Sequence, residues 1–388
     1  MAIKAGVARE TALGERRVAL TPESVTKLQA AGVDVLVERN AGAAASFTDH
    51  DYSDAGAKIV TQAVMYSQAN VILRINKPSP LEAKLLKNGQ VVVGMLAPLL
   101  DPGQMAELAG NGVTAISLDA IPRTLSRAQN MDALSSQANV AGYKAVIMAA
   151  EAFGRYFPLL TTPAGTAKPA NVLVLGIGVA GLQAIATARR LGAQVRAYDV
   201  RPETKEQAES LGAQFVTLHS IADGSGQGGY ARALTPEEQA AQQAELNDVI
   251  GNMDIVIATA QVPGRKPPVL VSAAAVECMR PGSIVVDIAA SDLGGNCELS
   301  VAGKTTTTSN GVSIQAPTNL PATMPTGSSS FYSRNISNLF LHFIANGELN
   351  FDFEDEITAA TVITYDGRVV QAATSRLLEN ANVGGVKA

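Results

Sequence analysis

The chain has no tryptophan, two cysteines and three histidines among 388 residues. Cys278 and Cys297 form no Cys-x-x-Cys pair, so they fit a reducing compartment and no metal site. His50, His219 and His342 adjoin neither the glycine-rich turn described below nor a plausible substrate loop, so each reads as a surface or satisfied core histidine. Aromatic residues make up only 4% of the chain, against 47% hydrophobic residues rich in alanine, which suits α/β packing through small side chains. The net charge of −5 is built from interspersed signs, so no nucleic-acid or anionic-membrane footprint is present. The start, Met1-Ala2-Ile3-Lys4-Ala5-Gly6-Val7, lacks the regions of a signal peptide and reads as a first strand. The longest apolar stretch, 172–188, holds Gly176, Gly178, Gly181, Gln183 and Thr187 and matches strand–turn–helix better than a membrane span. A soluble, cytoplasmic protein is expected, which leaves docking on a membrane partner open.

What is present is a glycine-rich turn in full context. Asn171-Val172-Leu173-Val174-Leu175 runs into Gly176-Ile177-Gly178-Val179-Ala180-Gly181, and Val195-Arg196-Ala197-Tyr198 ends in Asp199. Strand, G-x-G-x-x-G, helix, second strand and terminal acid form the dinucleotide fingerprint. Gly176 permits a tight turn, Gly178 lets backbone approach a pyrophosphate, and Gly181 lets the helix pack on the strand. The helix start, at Val179 and Ala180, offers free N–H groups and a partial positive charge to phosphates. Asp199 is suited to accept hydrogen bonds from the adenosine ribose, which favours NAD over NADP. Arg201 is read either as a partner for a 2′-phosphate or as a solvated loop charge. Val200, Arg201 and Ala260, which follows the strand 254–258, are counted with the cofactor-binding residues.

The first third alternates strand and helix: strands at 5–8, 33–38, 69–75, 90–95 and 113–118, helices from Thr21-Pro22 to Gly32 and over 102–111. A helical pattern covers 131–157, with Ala138, Ala141, Gly142 and Ala145 on closely spaced turns, and can cross between domains. Residues 161–169 read as a linker. The second α/β unit continues through 214–218, 254–258 and 283–288, and its sheet is expected to end near Gly311. A second long helix is expected over 329–345, and the tail 354–370, with a turn at Asp366-Gly367, is expected to rejoin the first domain. The predicted architecture is α/β: two doubly wound parallel-sheet, Rossmann-like domains joined by long crossover helices. The first comprises 1–134 with 325–388, the second 135–324. Residues 222–230, rich in glycine and ending in Tyr230, read as a mobile loop or as an insert without a role.

Most nicotinamide dehydrogenases move a proton as well as a hydride and need a general acid or base. Hydride exchange between two nicotinamide rings moves no proton at the reacting centre and needs only positioning and exclusion of water. The scarcity of histidine suits the second reaction, although Lys77 is a candidate base. A second polar cluster, Ile121-Pro122-Arg123-Thr124-Leu125-Ser126-Arg127-Ala128-Gln129-Asn130-Met131-Asp132-Ala133-Leu134-Ser135-Ser136-Gln137, precedes the crossover helix. Such residues bind ribose, amide and phosphate groups. Equally, Asp132 with Ser135 and Ser136 fits a helix start.

At this cluster the chain resembles the soluble NAD(H)-binding component of proton-translocating NAD(P) transhydrogenase. The resemblance is carried by Pro122-Arg123, Ser126-Arg127-Ala128-Gln129, Met131-Asp132-Ala133-Leu134-Ser135-Ser136 and Ala141-Gly142-Tyr143. It continues through Leu182-Gln183-Ala184-Ile185-Ala186, Tyr198-Asp199-Val200-Arg201, Gly228-Gly229-Tyr230-Ala231, Val262-Pro263-Gly264 and Gly294-Gly295-Asn296-Cys297. It implies a dimer that binds NADH and passes hydride to NADP held on a separate domain, not on this chain. It also implies a membrane proton-channel subunit as a further partner, with this chain peripheral on the inner face of the cytoplasmic membrane. The nicotinamide end falls to Arg123 or Arg127, Gln129 and Asp132, with Ser135 beside them. Thr124-Leu125 lengthens the Arg123-to-Gln129 gap by one residue against the family's pattern, which leaves the choice of arginine open and favours Arg123. Tyr230 belongs to the family's mobile loop. A chain ending at 388 without a span resembles the split arrangement, in which membrane and NADP-binding parts are other polypeptides.

The alternative is alanine dehydrogenase, similar at Arg17-Val18-Ala19-Leu20-Thr21-Pro22 and Lys77-Pro78. That family expects a catalytic histidine where this chain has Met95 in Val93-Gly94-Met95-Leu96-Ala97, and a methionine moves no proton. A non-enzymatic NAD-binding module shares the same fingerprint.

Overall fold

A computed structural model describes residues 3–218, 236–261 and 266–384, without the side chains of 236, 238–239 and 381–384. The chain forms two compact units, Met1–Gln137 with Pro321–Ala388, and Ala138–Leu320.

The first unit holds an eight-stranded sheet. Its order is Lys58–Val60, Asp34–Glu38, Lys4–Val7, Val71–Asn76, Val91–Met95, Thr114–Ser117, Val362–Tyr365, Arg368–Val369. The first six run parallel, with Ala5 opposite both Val35 and Val71. The last two return antiparallel, joined at Asp366-Gly367 with φ of 48° and 72°. The tail therefore rejoins the first sheet. The strand Val71–Asn76 is buried at five successive positions, as expected of a parallel strand covered on both faces. Pro22–Ala30 forms the first helix. Thr21 stands at its N-cap, but no side-chain capping bond forms, and the hydroxyl faces Ser333 at 3.4 Å.

The second unit is a seven-stranded sheet of order Gln214–Phe215, Gln194–Tyr198, Asn171–Leu175, Ile255–Ala258, Ile284–Asp287, Ser313–Gln315, Thr305–Thr307. All neighbours are parallel except the last pair. Val172 and Val174 join one buried cluster and Leu173 and Leu175 another, so alternate side chains fill both faces. The strand order reverses between Asn171–Leu175 and Ile255–Ala258, where open α/β sheets bind ligands.

Three expectations are corrected. The sheet does not end at Gly311: Ser313–Gln315 and Thr305–Thr307 extend it, because Ile284 still has an open edge that pairs with Ser313. Residues 161–169 are not a bare linker but carry a hairpin, Leu160–Thr162 with Gly165–Ala167. The crossover helix is shorter than 131–157, spanning Ala133–Ala152, and the C-terminal long helix starts earlier, at Pro325, and ends at His342. Pro325 supplies the preset φ of a first helical turn, a signal that outweighs the serines after it.

Candidate functional site

The glycine turn leaves the strand Asn171–Leu175 and opens the helix Val179–Arg190. Gly176 has φ +88°, a left-handed conformation, and its N–H donates to the Tyr198 carbonyl at 2.8 Å. A Cβ at Gly181 would stand 1.9 Å from the Gly176 carbonyl oxygen, so helix and strand end touch through hydrogen alone. A Cβ at Gly178 would meet nothing within 4 Å. The second glycine thus faces open space, where a pyrophosphate needs it. The first intrahelical bond at this end runs from Leu182 N–H to Gly178 C=O at 2.9 Å, which leaves the N–H groups of Val179, Ala180 and Gly181 for an anion.

Residues outside the fingerprint itself brace this turn. The Thr259 hydroxyl donates to the Gly176 carbonyl at 2.9 Å. A Cβ at Gly176 would lie 2.9 Å from Ala260 N, so Ala260 backs directly onto the first glycine. Asn296, fully buried, donates through Nδ2 to the carbonyls of Ala260 at 2.8 Å and Pro268 at 2.7 Å. A Cβ at Gly142 would fall 2.1 Å from the Ala180 carbonyl oxygen, so the helix Ala133–Ala152 lies on the start of the fingerprint helix. The small residues of the crossover helix signalled Gly142. Nothing local marks Thr259, since a threonine at a strand end is commonplace.

Asp199 follows the strand Gln194–Tyr198. Its Oδ2 accepts from Ile177 N–H at 2.6 Å and from Arg201 Nη2 at 3.0 Å. Its Oδ1 accepts from Arg201 N–H at 2.9 Å and Arg201 Nε at 3.0 Å. Burial pushes the carboxyl up, but Arg201 and the Ile177 N–H outweigh it and hold it below the ordinary range. Arg201, half exposed, is paired with Asp199 through its side chain. Val200 between them is exposed.

The arginine-rich loop folds on itself in the first unit. Arg123 Nε donates to Asp132 Oδ2 at 3.0 Å, and Arg123 Nη2 to Ser135 Oγ at 2.8 Å. Ser135 closes the triangle, donating Oγ to Asp132 Oδ2 at 2.6 Å and N–H to Asp132 Oδ1 at 2.8 Å. Asp132 thus caps the helix Ala133–Ala152 and anchors Arg123 at once. Arg127 leaves the cluster: it pairs with Asp355 and, at 3.4 Å, with Glu356. Gln129 is exposed, on the 3-10 segment Ser126–Met131. Tyr230, with the rest of 219–235, and Val262-Pro263-Gly264 lie outside the described residues.

The residues shared with the alternative reading are occupied by the chain itself. Arg17 pairs with Glu15 at 2.6 Å and donates to Gln137 Oε1 at 2.8 Å, and Lys77 pairs with Asp101. Burial raises Glu15, but the Arg17 and Asn76 donors prevail and take it to about 2. Among the described residues no helix is long and apolar enough to cross a membrane.

Two sheets in doubly wound order, one with a glycine turn closed by an acid, define a Rossmann-type nucleotide-binding fold. The chain belongs to the alanine dehydrogenase/PNT family: residues 6–141 match the N-terminal domain and 145–372 the C-terminal domain. It is 42% identical to a subunit alpha chain of NAD(P) transhydrogenase from Rhodospirillum rubrum, over 96% of this chain and 98% of that protein. The crystal structure of transhydrogenase from Sinorhizobium meliloti superimposes with a TM-score of 0.86 at 41% identity, covering 95% of this chain and 100% of that one. Alanine dehydrogenase of Bacillus subtilis is more distant, 29% identical over 99% of this chain and 97% of its own.

Proposed function

We propose that this chain is the NAD(H)-binding component of a proton-translocating NAD(P) transhydrogenase, handing hydride between NADH and NADP held on a partner domain. The observation that carries the reading is the closed Arg123–Asp132–Ser135 triangle on the loop that opens the helix Ala133–Ala152. It is a preorganised set of donors and acceptors for a carboxamide and ribose. When bound, NADH supplies the hydride. The N–H groups of Val179, Ala180 and Gly181 hold its pyrophosphate, and Asp199 with Val200 and Arg201 its adenosine ribose. Arg123, Asp132 and Ser135 orient the nicotinamide end, with Gln129 against it. Positioning to within a fraction of an ångström is the chain's main contribution, because no proton moves at the reacting carbon. Arg127 pairs instead with Asp355 and Glu356, which supports Arg123 as the arginine of the nicotinamide end.

The relative's name, a subunit alpha, supports further subunits. We take these to be an NADP-binding domain and a membrane proton channel, with this chain as a homodimer on the inner face of the cytoplasmic membrane. Tyr230 is proposed to contribute to the cofactor site. Amino-acid oxidation is disfavoured by Met95, which moves no proton.

The test mixes the purified chain with NADH and an NADP-loaded partner domain and follows NADPH formation. Hydride transfer on mixing, with no NADH made from NAD and alanine by the chain alone, is the expected result. NADH production from alanine would overturn the proposal.

A further inference from the structure

The helix Pro325–His342 packs on the 3-10 segment Ser126–Met131, which carries Gln129. It is a fixed element. Ile336, Leu339 and Phe340 join the buried cluster that holds Val7 and Leu73 of the first sheet. One turn earlier, the Tyr332 hydroxyl donates to the Arg74 carbonyl at 2.7 Å, and the Ser333 hydroxyl accepts from Thr21 N–H at 2.9 Å. From this helix the Asn335 amide reaches the loop at two points. Its Nδ2 donates to the Asn130 carbonyl at 2.9 Å, and its Oδ1 accepts from the Ser136 hydroxyl at 2.7 Å. A carbonyl only accepts, so the amide can face one way alone, with its NH2 to Asn130 and its oxygen to Ser136. Asn338, one turn further along, gives the same carbonyl a second donor at 3.0 Å. Asn130 follows Gln129, and Ser136 follows Ser135. One amide therefore grips both ends of the segment that presents Asp132 and Ser135, and through them Arg123.

We propose that Asn335 is a positioning residue for hydride transfer, setting the loop from Gln129 to Ser135 at the distance from the sheet that the reaction needs. The inference rests on the proposed reading of that loop as the holder of the nicotinamide end. Asn335 is only 7% exposed and acts through the loop rather than on a ligand. An aspartate at 335 has the same shape and still accepts from Ser136, but it sets an acceptor against the Asn130 carbonyl in place of a donor. Asn338 keeps that carbonyl partnered, so the loop remains folded and its placement alone is altered. A reacting centre displaced by a fraction of an ångström loses rate far more than affinity.

The experiment measures single-turnover hydride transfer from NADH to an NADP-loaded partner domain, and NADH affinity by nucleotide fluorescence, for the full native chain, Asn335→Asp, Ser136→Ala and Asn338→Ala. Thermal unfolding of the same preparations tells a slowed reaction from a lost fold. Asn335→Asp is expected to slow transfer about tenfold or more while NADH affinity stays within about twofold. Ser136→Ala removes the other half of the grip and is expected to slow transfer about three- to tenfold, again with affinity kept. It also carries the test if Asn335→Asp does not fold. Asn338→Ala leaves both bonds of Asn335 in place and is expected to change the rate by no more than about twofold. A merely structural residue would lower the melting temperature without slowing the folded protein. Native rates in folded Asn335→Asp and Ser136→Ala, or rate and affinity falling together, would overturn the inference. Absence of transfer by the native chain would remove the proposed function itself, and this inference with it.

Discussion

At the scale of single residues, the decisive groups do two tasks at once. Asp132 caps a helix and holds Arg123, and Asp199 ties the glycine turn to the next loop while presenting its carboxylate. Replacing Asp199 by alanine is expected to weaken NADH binding about tenfold and to narrow the preference over NADPH, as one charged hydrogen-bonding group is lost. Titration of both nucleotides checks this, and an unchanged NADH affinity would remove Asp199 from the site. Gln129→Ala is expected to slow hydride transfer by about tenfold or more with little change in NADH affinity, because small misplacements cost rate more than binding. Single-turnover kinetics beside equilibrium titration separate the two, and equal losses would make Gln129 a binding residue only. The Arg123–Asp132–Ser135 triangle was half legible in sequence. The residue types pointed to it, but Arg123 and Arg127 are equivalent on paper. Only the fold brings Asp355 and Glu356, more than two hundred positions away in the chain, against Arg127.

Between elements, contact without side chains governs the nucleotide end. Gly181 meets the Gly176 carbonyl, and Gly142 meets the Ala180 carbonyl. A methyl group at Gly142 would sit 2.1 Å from backbone oxygen, which cannot rotate away. Gly142→Ala is therefore expected to destabilise by about 1–3 kcal/mol through overpacking. It is also expected to weaken NADH binding, because the displaced helix carries the N–H groups proposed to hold the pyrophosphate. Thermal unfolding and NADH titration on one preparation check both effects; a variant as stable as the native protein would mean that the helices separate freely. The fingerprint strand, helix and acid were readable because their spacing is imposed locally. The strand pair after Gly282 was not, because Thr305–Thr307 and Ser313–Gln315 are short, and they form only by pairing with an edge supplied by Ile284–Asp287. Thr259 and Asn296 were missed for the same reason: their acceptors are carbonyls brought near by sheet order.

At the scale of the whole molecule, the first unit carries an acid-sensitive clasp. Glu15, held at about 2 against an ordinary 4.5 by Arg17 and Asn76, is depressed in the folded state. Its stabilisation is fully present above about pH 4.5 and is lost as the pH falls through about 2. Glu15→Gln is expected to lower the melting temperature at pH 7, and its deficit to shrink as the pH drops across that window. A deficit independent of pH would mean that Glu15 acts through shape alone. The amino-acid sequence by itself determined the α/β class, the glycine turn with its acid, and the tight turn of the tail at Asp366-Gly367. Each of these is written in short-range periodicity or in glycines that local backbone geometry demands. The tertiary structure alone decided which arginine joins Asp132, what braces Gly176 from behind, and that Arg201 fills the acceptor positions of Asp199. Those pairings depend on distances between segments far apart in the chain, or on how a side chain turns in the folded loop, and no local pattern encodes either.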